Sequence, residues 1–216
     1  MIQNVSLKKY LLTCAVGFGL GGLLWGLDAF FGTVGAGEVF TNPFSYILGI
    51  AALGLLGSFS LILFSKNKRQ ILKVSLSGLF GCLAGFVGVA LFSYYLYLYG
   101  GLILANIFGR FLDIEIINKF INLSPSLGVG DLWLVFFLSG GILGLFYSLI
   151  LKTKIWPIIW RGGTGFVLGS FVGPVIGNLV GNALNSLLAS YLIAFAIISI
   201  SLGLFLGWGI YKNYKQ

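Results

Sequence analysis

Carboxylates are the side chains of this sequence with acid–base potential near neutral pH, because the 216-residue chain contains no histidine. Three of the five acids, Asp113, Glu115 and Asp131, are predicted to lie on the same side of a membrane. A general acid–base pair needs two such groups within hydrogen-bond reach of one substrate, and their spacing specifies no such pair. Motifs of serine hydrolases, zinc proteases and P-loop proteins are absent from the sequence. We therefore expect no enzymatic activity.

The two cysteines, Cys14 and Cys82, lie inside apolar segments and lack the CxxC spacing of metal or redox sites. Histidine, the commonest metal ligand, does not occur. The sequence therefore predicts neither a metal nor a cofactor, and bound lipid is the small molecule that its composition favours.

A polar pathway through a membrane is the second kind of chemistry that the residues suggest. Asp28 is the ionisable residue closest to the middle of an apolar segment, but its position predicts a site near the outer interface. Pro174 leaves the carbonyl of Ser170 without its helical donor, which predicts either a packed kink, common in membrane helices, or a broken helix of the kind that lines some transporter sites. Asn178 and Asn182 follow at intervals of four residues, so they either form one polar helix face or bond across helices and cap the turn. A transporter or channel that uses this broken helix is the alternative function.

Small residues four positions apart recur in every apolar segment of the chain. In a helix this spacing places them on one face, where they form a shallow groove that allows close helix contact. The groove has two interpretations: packing within the chain, or a surface for a partner protein, a second copy or lipid. The glycines that we single out for this role are Gly17, Gly21, Gly81, Gly85, Gly165, Gly169, Gly173 and Gly177.

The elements that carry these residues are predicted from hydropathy. The chain is 58% hydrophobic and 8% charged, with a mean hydropathy of +1.04, whereas soluble domains carry about 25% charged residues. Six segments reach the roughly 20 apolar residues that a membrane span needs. We expect an all-α integral membrane protein, with one six-transmembrane-helix domain over residues 1–216. The predicted spans are 10–31, 44–65, 71–98, 131–151, 156–180 and 187–210.

The charges predict how these spans are oriented. With six spans, 11 of the 13 basic residues and none of the five acids lie on the side of the two termini. The positive-inside rule then places both termini in the cytoplasm. Short basic loops beside spans also account for the net charge of +8 without a nucleic-acid partner. The membrane itself is a plasma or inner membrane, or a thylakoid or other organellar membrane.

Two further features of the sequence concern the arrangement of the spans and the longest segment between them. The six spans suggest three repeated hairpins over residues 8–68, 69–154 and 155–215, each opening with a glycine-rich span and closing with a basic tail. Between the third and fourth spans, residues 102–123 are apolar but studded with polar groups that change face along the segment. This pattern predicts short amphipathic helices on the outer face.

These observations favour a non-enzymatic accessory or structural subunit of a membrane assembly. It is expected to pack through its glycine-rich faces against other membrane proteins, against itself or against lipid. The alternative is a small-solute or lipid transporter or channel, with Pro174, Asn178, Asn182 and Asp28 near its path.

Overall fold

A computed structural model of the chain describes residues 5–36, 47–65, 67–89 and 134–214. These residues form six helices, α1 Leu7–Ala36, α2 Ile47–Ile62, α3 Lys68–Leu83, α4 Leu134–Leu151, α5 Ile155–Ala183 and α6 Leu187–Tyr214. Helix α3 continues into one π-helical turn, Ala84–Gly88. The predicted all-helical fold is thus confirmed for the described part of the chain.

Five of the helices are long and apolar enough to cross a membrane: α1, α3 with its π-helical turn, α4, α5 and α6. Helix α2 is apolar but shorter, with 16 residues. The fold is therefore that of a helical membrane protein.

The helices form a closed ring in which each packs against its neighbours in sequence. Contacts run from α1 to α2, from α2 to α3 and from α5 to α6, and α6 returns to pack against α1. Helix α4 completes the ring, because it meets α3 beside Gly81 and Gly85 and meets α5 beside Gly140 and Gly144.

Polar caps set where several helices begin. The Asn67 side chain accepts hydrogen bonds from the backbone N–H groups of Arg69 and Gln70 at the start of α3. The Ser186 hydroxyl accepts from the N–H of Ala189 at the start of α6. Each cap satisfies a backbone donor that a helix leaves free in its first turn.

Helices α4 and α5 end in the same kind of turn. Lys152 and Asn185 adopt left-handed backbone conformations, with φ of 52° and 48°. The next N–H in each case reaches back five residues, from Thr153 to Ser148 and from Ser186 to Gly181. This Schellman arrangement closes each helix and lets the chain reverse direction within a few residues.

Two hydrogen bonds join the residues around the start of α1 to the ends of α6 and α2. They lie at the end of the ring where the described residues begin and end, which we call the terminal end. The Tyr211 hydroxyl donates to the carbonyl of Val5, and the Tyr10 hydroxyl donates to the carbonyl of Leu61 at the end of α2. This terminal end also carries all of the basic residues that the structure describes: Lys8, Lys9, Lys68, Arg69, Lys73, Lys152, Lys154, Arg161 and Lys212. Asp28, the one acid within the described ranges, lies towards the opposite end.

The amphipathic segment at residues 102–123 lies outside the described residues, and so do Glu38, Asp113, Glu115 and Asp131.

Candidate functional site

The glycines singled out from the sequence lie between helices of the ring. On α5, a Cβ at Gly169 would lie 2.7 Å from the Cα of Ile198, and one at Gly173 would lie 2.5 Å from the carbonyl oxygen of Ala194. Gly177 and Gly165 face α6 in the same way, next to Ser190 and Phe205. The stripe on α5 is therefore covered by α6 along its length.

The other glycine pairs have equivalent positions on the odd-numbered helices. Gly17 and Gly21 of α1 lie against Ser60 and Leu53 of α2, while Gly81 and Gly85 of α3 lie against α4. Glycines also meet between α2 and α3, where Gly54 lies against Gly78, and between α4 and α5, where Gly140 lies against Gly162. Backbones at these contacts approach more closely than any side chain permits. These glycine faces are occupied by helices of the same chain.

Asp28 has a structural partner on the neighbouring helix. Its Oδ2 accepts a hydrogen bond of 2.7 Å from the backbone N–H of Gly49, in the first turn of α2. A carboxylate at a helix N-terminus satisfies a free donor and interacts favourably with the helix dipole. Asp28 can therefore stabilise the start of α2 from α1.

The predicted break at Pro174 is not present, because α5 is a continuous helix from Ile155 to Ala183 with Pro174 inside it. Pro174, Asn178 and Asn182 are exposed on the outer side of α5, adjacent to the buried glycine stripe. The Oδ1 of Asn178 accepts a hydrogen bond of 2.9 Å from the hydroxyl of Ser190 on α6. The structure therefore aligns these three residues on one exposed strip but does not join them to Asp28, whose contact is with α2.

Asn178 lies close to the far end of the bundle. It follows Ile155 by 23 residues, which is about 35 Å along a helix axis, more than the thickness of the hydrocarbon layer. The amides of Asn178 and Asn182 therefore belong near the interface opposite the termini and not at mid-membrane depth.

Aromatic side chains fill the centre of the ring. The Trp25 ring packs edge-on against Phe86 at 5.0 Å and Phe195 at 4.5 Å between centroids, and Phe136 packs against Phe166 at 5.0 Å. Phe86 comes from the π-helical turn of α3. The sequence alone does not reveal this cluster, because aromatic residues of α1, α3, α4, α5 and α6 converge only when the ring closes.

A small cavity lies beside this aromatic cluster. Its volume is about 10 Å³, counted as the space that the centre of a water molecule can occupy, so it has room for about one water molecule. The residues that line it are Ile50, Leu53, Cys82, Phe86, Ser139, Leu143 and Phe166. Ser139 donates its hydroxyl to the carbonyl of Gly85, at the π-helical turn, so the polar group of this wall is already satisfied. The cavity is too small and too apolar to hold a substrate.

Buried hydroxyl groups link helices across the interior. The hydroxyls of Ser58 on α2 and Tyr147 on α4 are 2.7 Å apart, and both residues are fully buried. By contrast, the indole N–H of Trp25 and the hydroxyls of Ser77 and Ser199 are buried without a hydrogen-bond partner among the described residues. These isolated polar atoms do not form a connected path through the ring.

Within the described ranges, no group of three or more metal-ligating side chains comes together. No protein-family model matches the chain, and no curated protein or solved structure shows significant similarity to it.

Proposed function

We propose that this protein is a non-enzymatic, six-span integral membrane protein that serves as a structural or accessory subunit of a membrane assembly. The observation that carries this proposal is the filled interior, in which aromatic rings from five helices occupy the centre that a conducting protein would leave open. Large apolar side chains cover the outside of the ring, as expected of a surface that contacts lipid or other membrane helices.

The surface for a partner is the outward face of the helices, not the glycine grooves. The glycines of α1, α3 and α5 already contact α2, α4 and α6. A partner that required them would have to open the ring. Exposed apolar residues remain on every side, for example Leu12 on α1, Leu72 on α3 and Val175 on α5.

The spacing of buried residues supports three hairpin repeats. In each opening helix a fully buried residue lies seven positions before the first glycine of the pair: Tyr10 before Gly17, Val74 before Gly81 and Ile158 before Gly165. A buried residue directly follows that glycine in each helix, namely Phe18, Cys82 or Phe166, and the second glycine of the pair lies three positions after this buried residue. Three opening helices with one pattern are the expected product of a repeated unit.

Six spans and cytoplasmic termini are part of the proposal. At 16 residues α2 is about 24 Å long, slightly less than the hydrocarbon thickness, yet it packs between α1 and α3. The basic residues gathered at the terminal end support a cytoplasmic position for that end.

Photocrosslinking in the native membrane tests the proposed role. A photoreactive amino acid is placed at Leu12, Leu72 or Val175, one site per variant, with fully buried Leu202 as the inward control. We expect a discrete protein adduct from at least one outward site and none from Leu202. Only lipid adducts at all outward sites would contradict an assembly role.

A flux measurement separates this role from the alternative. Purified protein in liposomes is assayed for movement of protons, potassium ions and glycerol against protein-free liposomes. We expect no difference between the two. If a solute moved and Asn178→Leu abolished that movement, the protein would be a transporter or channel.

A further inference from the structure

Two cations share one aromatic ring at the terminal end of the bundle. The guanidinium carbon of Arg161 on α5 lies 4.6 Å from the centroid of the Trp208 ring on α6, and the Nζ of Lys212 lies 4.7 Å from the same centroid. The two charges are therefore less than about 10 Å apart. Each gains a cation–π contact, but they also repel each other.

Helix packing fixes this arrangement. Gly209 on α6 leaves space for the Arg161 side chain, since a Cβ at Gly209 would lie 3.1 Å from the Cδ of Arg161. The same two helices are held together one turn further along α5, where Gly165 lies against Phe205. Arg161 is half-buried as a result, and its position follows from the α5–α6 contact.

The described residues supply no anion for this pair. They contain one acid, Asp28, and its carboxylate is bound to α2 towards the other end of the ring. Arg161 also lies inside its helix, six residues after Ile155, or about 9 Å along the axis. A guanidinium at that depth extends towards the headgroup region and is stabilised by an anion there.

The surroundings point to a lipid as the source of that anion. Trp156 and Trp160 on α5 are 67% and 49% exposed, and Trp208 is also exposed. Exposed tryptophans of this kind mark the level of the lipid headgroups. A free phosphate ion would gain nothing from this apolar rim, whereas a phospholipid places its acyl chains against it.

We propose that Arg161, Trp208 and Lys212 form a binding site for the phosphate of an anionic phospholipid. The planar guanidinium of Arg161 donates two hydrogen bonds to phosphate oxygens, and Lys212 contributes a second positive charge. Trp208 holds both cations in place and contacts the glycerol region. The inference requires a membrane-embedded bundle, but it does not depend on the proposed role in an assembly.

Native mass spectrometry of the detergent-purified protein tests this site. The protein is titrated with phosphatidylglycerol, with phosphatidylcholine as the zwitterionic comparison. We expect tighter binding of at least one phosphatidylglycerol, and a roughly 30-fold loss of that affinity in the double variant Arg161→Gln, Lys212→Gln, because the variant loses charge-assisted hydrogen bonds to the phosphate. The matched control is Lys68→Gln, Arg69→Gln, which removes two exposed, solvent-screened charges from the same end and should change the affinity less than about twofold.

Three further measurements complete the test of this lipid site. Arg161→Lys keeps the positive charge but loses the planar guanidinium that donates two hydrogen bonds, so it should retain part of the affinity. Thermal unfolding shows whether each variant is folded. If the double variant is unfolded, the lipid affinity of the conservative Arg161→Lys variant is compared with that of the natural protein instead. Displacement of the lipid by inorganic phosphate would identify a free-phosphate site and overturn the lipid assignment.

Equal binding of the two lipids by the natural protein would also overturn the proposal. So would an equal loss of affinity in the control pair, because binding would then follow surface charge alone. Neither result would bear on the proposed structural role, which the crosslinking and flux measurements test separately.

Discussion

At the scale of single residues, glycines determine how closely the helices approach. A Cβ at Gly169 would collide with the backbone of Ile198, which cannot move without displacing α6. Gly88 lies at the end of the π-helical turn, and among the described residues no atom outside its own stretch of helix lies within 4 Å of such a Cβ. The same substitution is therefore expected to have opposite effects at these two positions.

Gly169→Ala should destabilise the bundle by about 1–3 kcal/mol, the usual cost of overpacking a close contact. Gly88→Ala should be neutral or slightly stabilising, because alanine favours a helix and meets open space. Thermal unfolding in detergent measures both variants. Equal stability of the two proteins would show that the α5–α6 contact is looser than the structure indicates.

Asp28 offers a second prediction at this scale. Asp28→Ala should lower stability by about 0.5–2 kcal/mol, because the N–H of Gly49 loses its acceptor. Asp28→Asn keeps an acceptor oxygen, so it should recover much of that loss. Denaturant titration of the three proteins gives the comparison, and a loss of equal size in both variants would assign the effect to charge and not to capping.

At the scale of the elements, α5 is uninterrupted although it contains proline. Pro174 is exposed beside the glycine stripe, whose members contact α6. The missing hydrogen bond to Ser170 thus falls on the outer side, where packing against α6 is unaffected. The local chemistry left a packed kink or a break open at Pro174, and the structure has a continuous helix at this position.

Pro174→Ala should therefore leave stability unchanged or raise it, since the variant restores a helical N–H at an exposed position. Thermal unfolding and helical content by circular dichroism check this. A marked loss of stability would mean that proline is needed to shape α5.

The contact between α2 and α4 is a further property of the elements. It includes the hydrogen bond between Ser58 and Tyr147, both fully buried. Tyr147→Phe removes the hydroxyl and preserves the ring, so we expect a loss of about 0.5–1.5 kcal/mol. The Ser58 hydroxyl also donates to the carbonyl of Gly54, so the double variant with Ser58→Ala should lose more than Tyr147→Phe but less than the sum of the two single variants. A fully additive loss would show that the two hydroxyls act independently.

At the scale of the whole molecule, the ring closes through α6 and α1. Phe18 of α1 illustrates the closure, because its ring fills the notches at Gly57 of α2 and Gly203 of α6. This closure gathers both termini and the described basic residues at one end. Which end faces the cytoplasm therefore depends on the orientation of the entire bundle and not on any single helix.

Cysteine labelling in intact cells tests that orientation and the number of spans. Lys68→Cys lies at the terminal end, between α2 and α3, and Leu184→Cys lies in the turn between α5 and α6. With cytoplasmic termini and six spans, a membrane-impermeant maleimide should label Leu184→Cys from outside and Lys68→Cys only after permeabilisation. Cys14 and Cys82 are buried and should give little background. The reverse pattern would contradict this topology, because it is expected for six spans with outside termini and also for five spans with a cytoplasmic N-terminus.

Composition and the position of charges, which the sequence contains directly, determined the class of the protein. Apolar segments of membrane length specify helices whatever their neighbours are, because backbone groups in lipid must be satisfied within the segment. The four-residue glycine spacing likewise predicted grooves, but it left open whether they face this chain or another.

Only the tertiary structure decided which helix occupies each groove. The position of Gly169 against Ile198, the cap that Asp28 provides for α2 and the stacking of Arg161 on Trp208 all join residues far apart in the chain. Sequence spacing along one helix specifies a face but not its partner, since the partner depends on how the ring closes. For the same reason the aromatic centre, built from five helices, could not be foreseen from any one of them.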